Sequence, residues 1–277
     1  MEDKLGRTKH STNISWSFIP WILLQNIGFY LELNDIFKCN LTCKNWYLCF
    51  AQSSTPMWKF HCRRLVSEEA LLSDVMCQFT SWKSKLKAYC NAWDGEDCSK
   101  NIYVKKDGFT LHRKPVARST DGIRGKIGFS SGRHCWEIWW LGPLGTVAVV
   151  GIATRQASLH YQGGYISLLG KDEHSWGWNL VDNVLYHGGK SEKLCESHLK
   201  YKVGDRLRMI LDCDERLLSF EKSIDANGLG ESEHNFSKLD FSFANVCSNG
   251  KSLYPAVSAV YGHSEVCIVY LGTPVDG

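Results

Sequence analysis

The sequence predicts an α+β multidomain chain: a helical N-terminal part followed by an antiparallel β-sandwich. Three observations carry this. In segments between Pro20 and Trp93, apolar residues recur at three- and four-residue intervals. A polar break, Asp94-Gly95-Glu96-Asp97, ends that pattern. Beyond it come short β-rich runs, CWEIWW, TVAVVGIA, LRMILD and EVCIVYL, separated by turn signals at Asp107-Gly108, Asp121-Gly122, Ser131-Gly132 and Gly163-Gly164. Many short strands at this spacing are the pattern of a sandwich.

Length and composition allow this and narrow the function. At 277 residues and 44% hydrophobic content, the chain can bury two separate cores. Its net charge of +3 comes from Lys and Arg scattered among Asp and Glu, so there is no basic stripe to neutralise a phosphate backbone, and nucleic acid is excluded as a partner. No apolar run reaches the ~20 residues needed to cross a bilayer. The start, MEDKLGRTKHSTN, lacks the apolar core of a signal peptide. Membrane insertion is therefore not expected, and a cytoplasmic location is. The 12 cysteines lack paired spacing and read as reduced thiols.

Taken in order, residues 1–15 are polar and aperiodic and read as a flexible tail. From Pro20, which suits a first helical turn, Leu23, Leu24, Ile27, Tyr30 and Leu31 share one helical face. A second helix is expected from Asn34 as N-cap, with Asp35 placed against the helix dipole and Ile36, Phe37, Leu41 and Trp46 as its apolar surface. Further helices are expected after Pro56 through Arg64, and from Ser81 into Trp82, Leu86, Tyr89, Cys90 and Trp93.

In the strand region, Trp136, Ile138 and Trp140 alternate with Cys135, Glu137 and Trp139. Trp136, Trp140, Trp176 and Trp178 are expected in the core, and Trp139 at the surface beside the Gly142-Pro143-Leu144-Gly145 turn. Residues 221–251, rich in Ser, Asn and Gly, read as a long surface loop.

Two parts of the chain carry a resemblance. Ile19-Pro20, LLQNIGFYLELNDIFKCNLTCKNWYLCF and Met57-Trp58 follow the order of an F-box. FTLHRKPVARSTDGIRGKIGFSSGRHCWEIWW, GTVAVVGIAT, GYISLLG, SWGWNL, VGDRLRMILD and LYPAVSAVYGHSEVCIVYLG together resemble a SPRY domain. The combination resembles the F-box/SPRY family. This implies an F-box over 16–64, a helical linker segment over 65–99 and a SPRY domain over 100–274.

The resemblance implies a substrate-recognition subunit of a ubiquitin ligase. Its F-box would dock a Skp-type adaptor. Its SPRY domain would hold a protein target through an extended peptide, or a large RING-type ligase of the Highwire (PHR) class, and so restrain synapse growth. Recruitment of a cullin through the adaptor stays open, as does a SPRY scaffold not linked to ubiquitin.

The expected adaptor-facing residues are Pro20, Leu23, Leu24, Ile27, Leu31, Leu41 and Trp46, although helical spacing gives the same stripe to a plain core. Gly28 departs from the family's usual bulky residue and should weaken its helix by ~1 kcal/mol against Ala. By likeness to SPRY proteins that carry a SOCS box, the expected peptide-binding residues are Arg113, Pro115, Ala117, Tyr165, Leu168, Val260, Tyr261 and Gly262. Tyr261 and Lys171 depart from that pattern, so the preferred peptide is expected to differ. The loop around Asn227-Gly228-Leu229-Gly230 is longer than the family's.

No enzyme, metal or cofactor is expected. The chain has no phosphate loop, H-E-x-x-H or C-x-x-C, and single histidines such as His134 and His174 read as structural or solvated.

Overall fold

In a computed structural model the described residues are 16–52, 55–194, 200–224, 235–246 and 250–273. The expected tail, residues 1–15, and the Asn227–Gly230 stretch lie outside them. The chain divides into two compact units, residues 1–65 with 81–84, and residues 66–80 with 85–277.

The first unit opens with a 3-10 turn at Trp16–Phe18 and continues with α1 (Trp21–Gly28), α2 (Leu33–Cys39), α3 (Lys44–Ala51) and α4 (Pro56–Leu65). Pro20 is the N-cap of α1 rather than its first residue, and its carbonyl accepts the Leu23 and Leu24 amides at 3.0 and 3.1 Å. Glu32, not Asn34, caps α2, because its extended backbone lets its carbonyl take the Asp35 and Ile36 amides. Asp35 lies in the first turn as expected.

Where one helix was expected to carry Ile36 through Trp46, the chain breaks. The Thr42 hydroxyl donates to the Cys39 carbonyl at 2.8 Å, and Cys43 is fully extended. Leu41 therefore sits in a turn and Trp46 on a third helix. Leu24, Ile36, Cys49, Phe50, Met57 and Trp58 form the buried core of this unit.

Gly28 belongs to that core. A Cβ there would lie 2.2 Å from Met57 Sδ and 3.0 Å from a Phe50 ring carbon, and His61 Nε2 lies 2.7 Å from the Gly28 carbonyl. The helix-propensity argument is thus reversed by packing. Gly28→Ala gains ~1 kcal/mol of propensity but should lose about 1–3 kcal/mol to overpacking. A lower urea midpoint than wild type is the expected outcome.

The second unit contains α5 (Glu68–Leu71) and α6 (Asp74–Cys77), each capped by a serine hydroxyl, Ser67 accepting from the Ala70 amide and Ser73 from the Met76 amide. Helix α7 (Trp82–Cys90) begins in the first unit and ends in the second. Trp93, expected on that helix, instead opens a strand.

Fifteen strands follow among the described residues: β1 (Trp93–Cys98), β2 (Ile102–Val104), β3 (Thr110–Arg113), β4 (Ser119–Gly125), β5 (Arg133–Trp140), β6 (Ala148–Ala153), β7 (His160–Gln162), β8 (Ser175–Asn179), β9 (Val184–His187), β10 (Lys190–Lys193), β11 (Leu207–Asp212), β12 (Leu217–Ile224), β13 (Asn235–Phe243), β14 (Tyr254–Ala259) and β15 (Glu265–Gly272). One sheet runs β1-β4-β14-β6-β8-β9-β10, with β7 also on β4, and the other runs β13-β12-β11-β5-β15-β3-β2. Every pairing is antiparallel, and the two sheets form a sandwich.

Trp136, Trp140, Trp176 and Trp178 are buried, as expected. The Trp178 ring, on one sheet, lies 5.3 Å from Phe220 and 4.9 Å from Phe241 on the other. Each such side chain contributes about 1.5–3 kcal/mol by leaving water.

Three further expectations change. The polar break at Asp94–Asp97 lies inside β1, so the sandwich starts at Trp93 rather than at residue 100, and the segment 65–99 is helical only as far as Cys90. Asp97 of that break is paired: Arg124 donates to both of its carboxylate oxygens at 2.8 Å, and Arg155 to one at 2.6 Å. The expected 221–251 loop contains the end of β12 and all of β13, paired as a hairpin edge. Trp139 is only 8% exposed, because the Arg206 guanidinium covers its ring at 4.2 Å while donating to Glu137 at 2.5 Å.

Burial pushes the Asp97 carboxyl up, but Arg124 and Arg155 outweigh it and hold it below its ordinary value. A depressed carboxylate stabilises the fold above its unfolded pKa, and that contribution is lost as pH falls through the folded value. Amide exchange in β1 should therefore accelerate below about pH 4, measured against β5 as an internal reference.

Candidate functional site

The helical unit presents an apolar surface. Asn45, next to Lys44 at the start of α3, ties it to the entry of α1: the Trp21 indole donates to Asn45 Oδ1 at 2.6 Å, and Asn45 Nδ2 donates to the Ile19 carbonyl at 2.8 Å. Around this clasp lies a groove of about 630 Å³ lined by Phe18, Ile19, Pro20, Trp21, Asn45 and Leu48 among others.

Of the expected adaptor-facing residues, Pro20, Leu23 and Leu41 are exposed, while Ile27, Leu31 and Trp46 are half-buried. The Trp46 indole donates to the Trp16 carbonyl at 2.9 Å. Leu24 is 0% exposed and holds the unit together instead, since a side chain fully enclosed by its own core cannot meet a partner. Trp16, Phe18, Ile22, Tyr30 and Leu48 are exposed and were not expected. The signal for the first two was large aromatics standing alone beside a polar stretch.

At one end of the sandwich, three loops are held together by named contacts: 114–118 between β3 and β4, 163–168 after β7, and 260–264 between β14 and β15. Gly262 lies so close to Pro115 that an added Cβ would sit 2.8 Å from its Cα and Cβ. The Tyr165 hydroxyl accepts from the Arg118 amide at 3.2 Å. The Thr120 hydroxyl, at the start of β4, accepts from the Ile166 amide and donates to the Gly164 carbonyl. Tyr261 packs over Gly145, whose φ of +72° suits glycine.

Pro115, Ala117, Tyr165 and Tyr261 are exposed and Gly262 is half-buried. Leu168, Val260 and Arg113 are buried beneath them. Arg113 is therefore not a free donor to a peptide. Its guanidinium donates to Asp121 Oδ2 at 2.9 Å and to the carbonyls of Lys114, Val116 and Ser119 at 3.2, 2.8 and 2.8 Å. Asp121 also accepts from Ser99, Asn101 and Ser119, and lies 2.9 Å from His160 Nδ1. Burial pushes the Asp121 carboxyl up, but these hydrogen bonds outweigh it and lower it. The 114–118 loop is thus shaped from behind, and its exposed side is left to contact a ligand.

Ser99, His160 and Asp121 meet, but Ser99 Oγ and Asp121 Oδ1 converge on the same imidazole nitrogen, so the histidine has no relay geometry toward a serine nucleophile. The described cysteines are free, and burial pushes the Cys135 and Cys267 thiols up to about 12. Among the described residues no group of three or more His, Cys, Asp or Glu side chains is placed to hold a metal ion, and no helix is long and apolar enough to cross a membrane.

A family model described as "SPRY domain" matches residues 133–272, from β5 through β15. The SPRY domain of human HERC1 is similar over 65% of this chain and 98% of that one, with 20% identity and a TM-score of 0.47. The family-model match places the chain among SPRY-domain proteins. "F-box/SPRY domain-containing protein 1" of Drosophila grimshawi is 50% identical, covering 92% of this chain and 96% of the relative. The human protein of the same name is 49% identical, covering 94% and 87%. The chain belongs to the F-box/SPRY domain-containing protein 1 family.

Proposed function

We propose that the protein is a non-enzymatic substrate-recognition subunit of a ubiquitin ligase. The helical unit docks a Skp-type adaptor through its apolar surface. The end loops of the sandwich hold an extended peptide of a target, or of a large RING-type ligase of the Highwire (PHR) class. By linking the two, the chain raises the target's effective concentration near the ubiquitin carrier without supplying a reacting group. Action in the cytoplasm, at synapses, where ubiquitination restrains synapse growth, is part of the same proposal.

The observation that carries this reading is the exposure of Phe18, Trp21 and Leu48 around one groove, and of Ile22 and Leu23 on the helix that follows Trp21, in the unit that bears the F-box-like segment. Exposed apolar surface of this kind marks an interaction site. The test is co-purification with a Skp-type adaptor followed by size exclusion. A stoichiometric complex is expected. A folded chain that forms none would overturn the ligase reading and leave a SPRY scaffold not linked to ubiquitin.

A further inference from the structure

We propose that His112 and His263 form an open two-histidine site for a divalent transition-metal cation at the edge of the sandwich, with its remaining coordination positions free for water or a partner's side chain. The proposal does not rest on the ligase reading.

Backbone register brings the pair together. His112 on β3 stands opposite Glu265 on β15 and Tyr103 on β2. The ladder continues past the strand end: the Arg113 amide donates to the Ser264 carbonyl at 2.9 Å, and the His263 amide to the Arg113 carbonyl at 2.8 Å. His263 is therefore the diagonal neighbour of His112 on the same face. It is held with φ at +65°, a conformation side chains seldom adopt and one that histidine tolerates better than most.

The side chains have the geometry of ligands. His112 Nε2 and His263 Nδ1 lie 3.4 Å apart. That is long for a hydrogen bond, but it matches the ~3.3–3.4 Å separating two nitrogens bound at about 2.05 Å to a tetrahedral ion. The other nitrogen of His112 lies 2.9 Å from a Glu265 carboxylate oxygen. A carboxylate behind a histidine fixes the tautomer and turns the remaining lone pair outward, the arrangement that supports metal-bound imidazoles. Tyr103 packs against the His112 ring at 4.9 Å, and Lys105 holds Glu265 at 2.5 Å. Lys105 is the cation of this cluster that competes for Glu265, and its partner is that carboxylate rather than either of the two facing imidazole nitrogens.

The test is calorimetric titration of the full chain with Zn²⁺ at pH 7.5, for wild type, His112→Gln, His263→Asn, the double variant and His174→Gln as a control. Asn is chosen at 263 because it tolerates the left-handed backbone. Thiol binding is common to all these proteins. The expected result is one Zn²⁺ event weakened at least about tenfold in either single variant, with no further loss in the double variant and no change in the control. Glu265→Gln should weaken the same event by about 10-fold. An unchanged isotherm in His263→Asn would overturn the proposal, as would single losses that multiply in the double variant, since a chelate fails when either arm is removed.

Discussion

Replacing Arg113 with Met should remove about 3–5 kcal/mol from the sandwich unit, because it leaves the Asp121 carboxylate buried without its cation. Both side chains are fully enclosed, and Arg113 Nε lies 2.9 Å from Asp121 Oδ2. The lost guanidinium also takes a donor from the carbonyls of Lys114, Val116 and Ser119, so the 114–118 loop should loosen with the core. Urea denaturation, with amide exchange of β3 and β4, measures the first effect, and faster exchange in the loop the second.

The pH dependence separates charge from packing. In the wild type the lowered Asp121 carboxyl stabilises the fold above its unfolded pKa and loses that contribution as pH falls through the folded value. In Arg113→Met, protonating Asp121 relieves the uncompensated charge. The gap between variant and wild type should therefore narrow as the pH is lowered toward about 4. A gap that stays constant would mean that lost packing alone accounts for the destabilisation.

Arg113 also shows where sequence reading fails. Charged residues are rarely buried unless paired, and its partner stands eight residues away on another strand, in a different sheet. No local pattern marks such a pair, so Arg113 reads as a surface donor. β5, β11 and β15 were legible: they fall on CWEIWW, LRMILD and EVCIVYL, short runs rich in β-branched, aromatic and other apolar residues, and are buried along most of their length.

β1 and β13 were not legible, for a physical reason. WDGEDC and NFSKLDFSF lie at the edges of their sheets, where polar side chains can face solvent or a neighbouring charge, so their composition is that of a loop. Trp139 was misplaced because its cover, Arg206, comes from a residue remote in the chain. The positions of the end loops around Pro115, Tyr165 and Gly262 followed from the family resemblance. What lies at their surface and what supports them from below required the tertiary contacts.

Leu23→Asp should abolish the adaptor complex while leaving the melting transition near that of the wild type, whereas Leu24→Asp should unfold the helical unit. The two residues are adjacent on α1, and both belong to its apolar stripe. Leu23 is 51% exposed and Leu24 is 0% exposed. A carboxylate at 23 can remain hydrated in the free chain, and its penalty falls on the complex, where desolvating it at the centre of an apolar contact should cost at least about 2 kcal/mol, or roughly 30-fold in affinity. At 24 the carboxylate would be forced into the buried core of the unit, and loss of the leucine alone costs about 2–5 kcal/mol before the charge is counted. Size exclusion with the adaptor, together with far-UV thermal melts of each variant alone, separates the cases. Because Leu24→Asp loses the complex by losing the fold, only Leu23→Asp tests docking, and a Leu23→Asp chain that still binds the adaptor at full strength would move the interface off the outer face of α1.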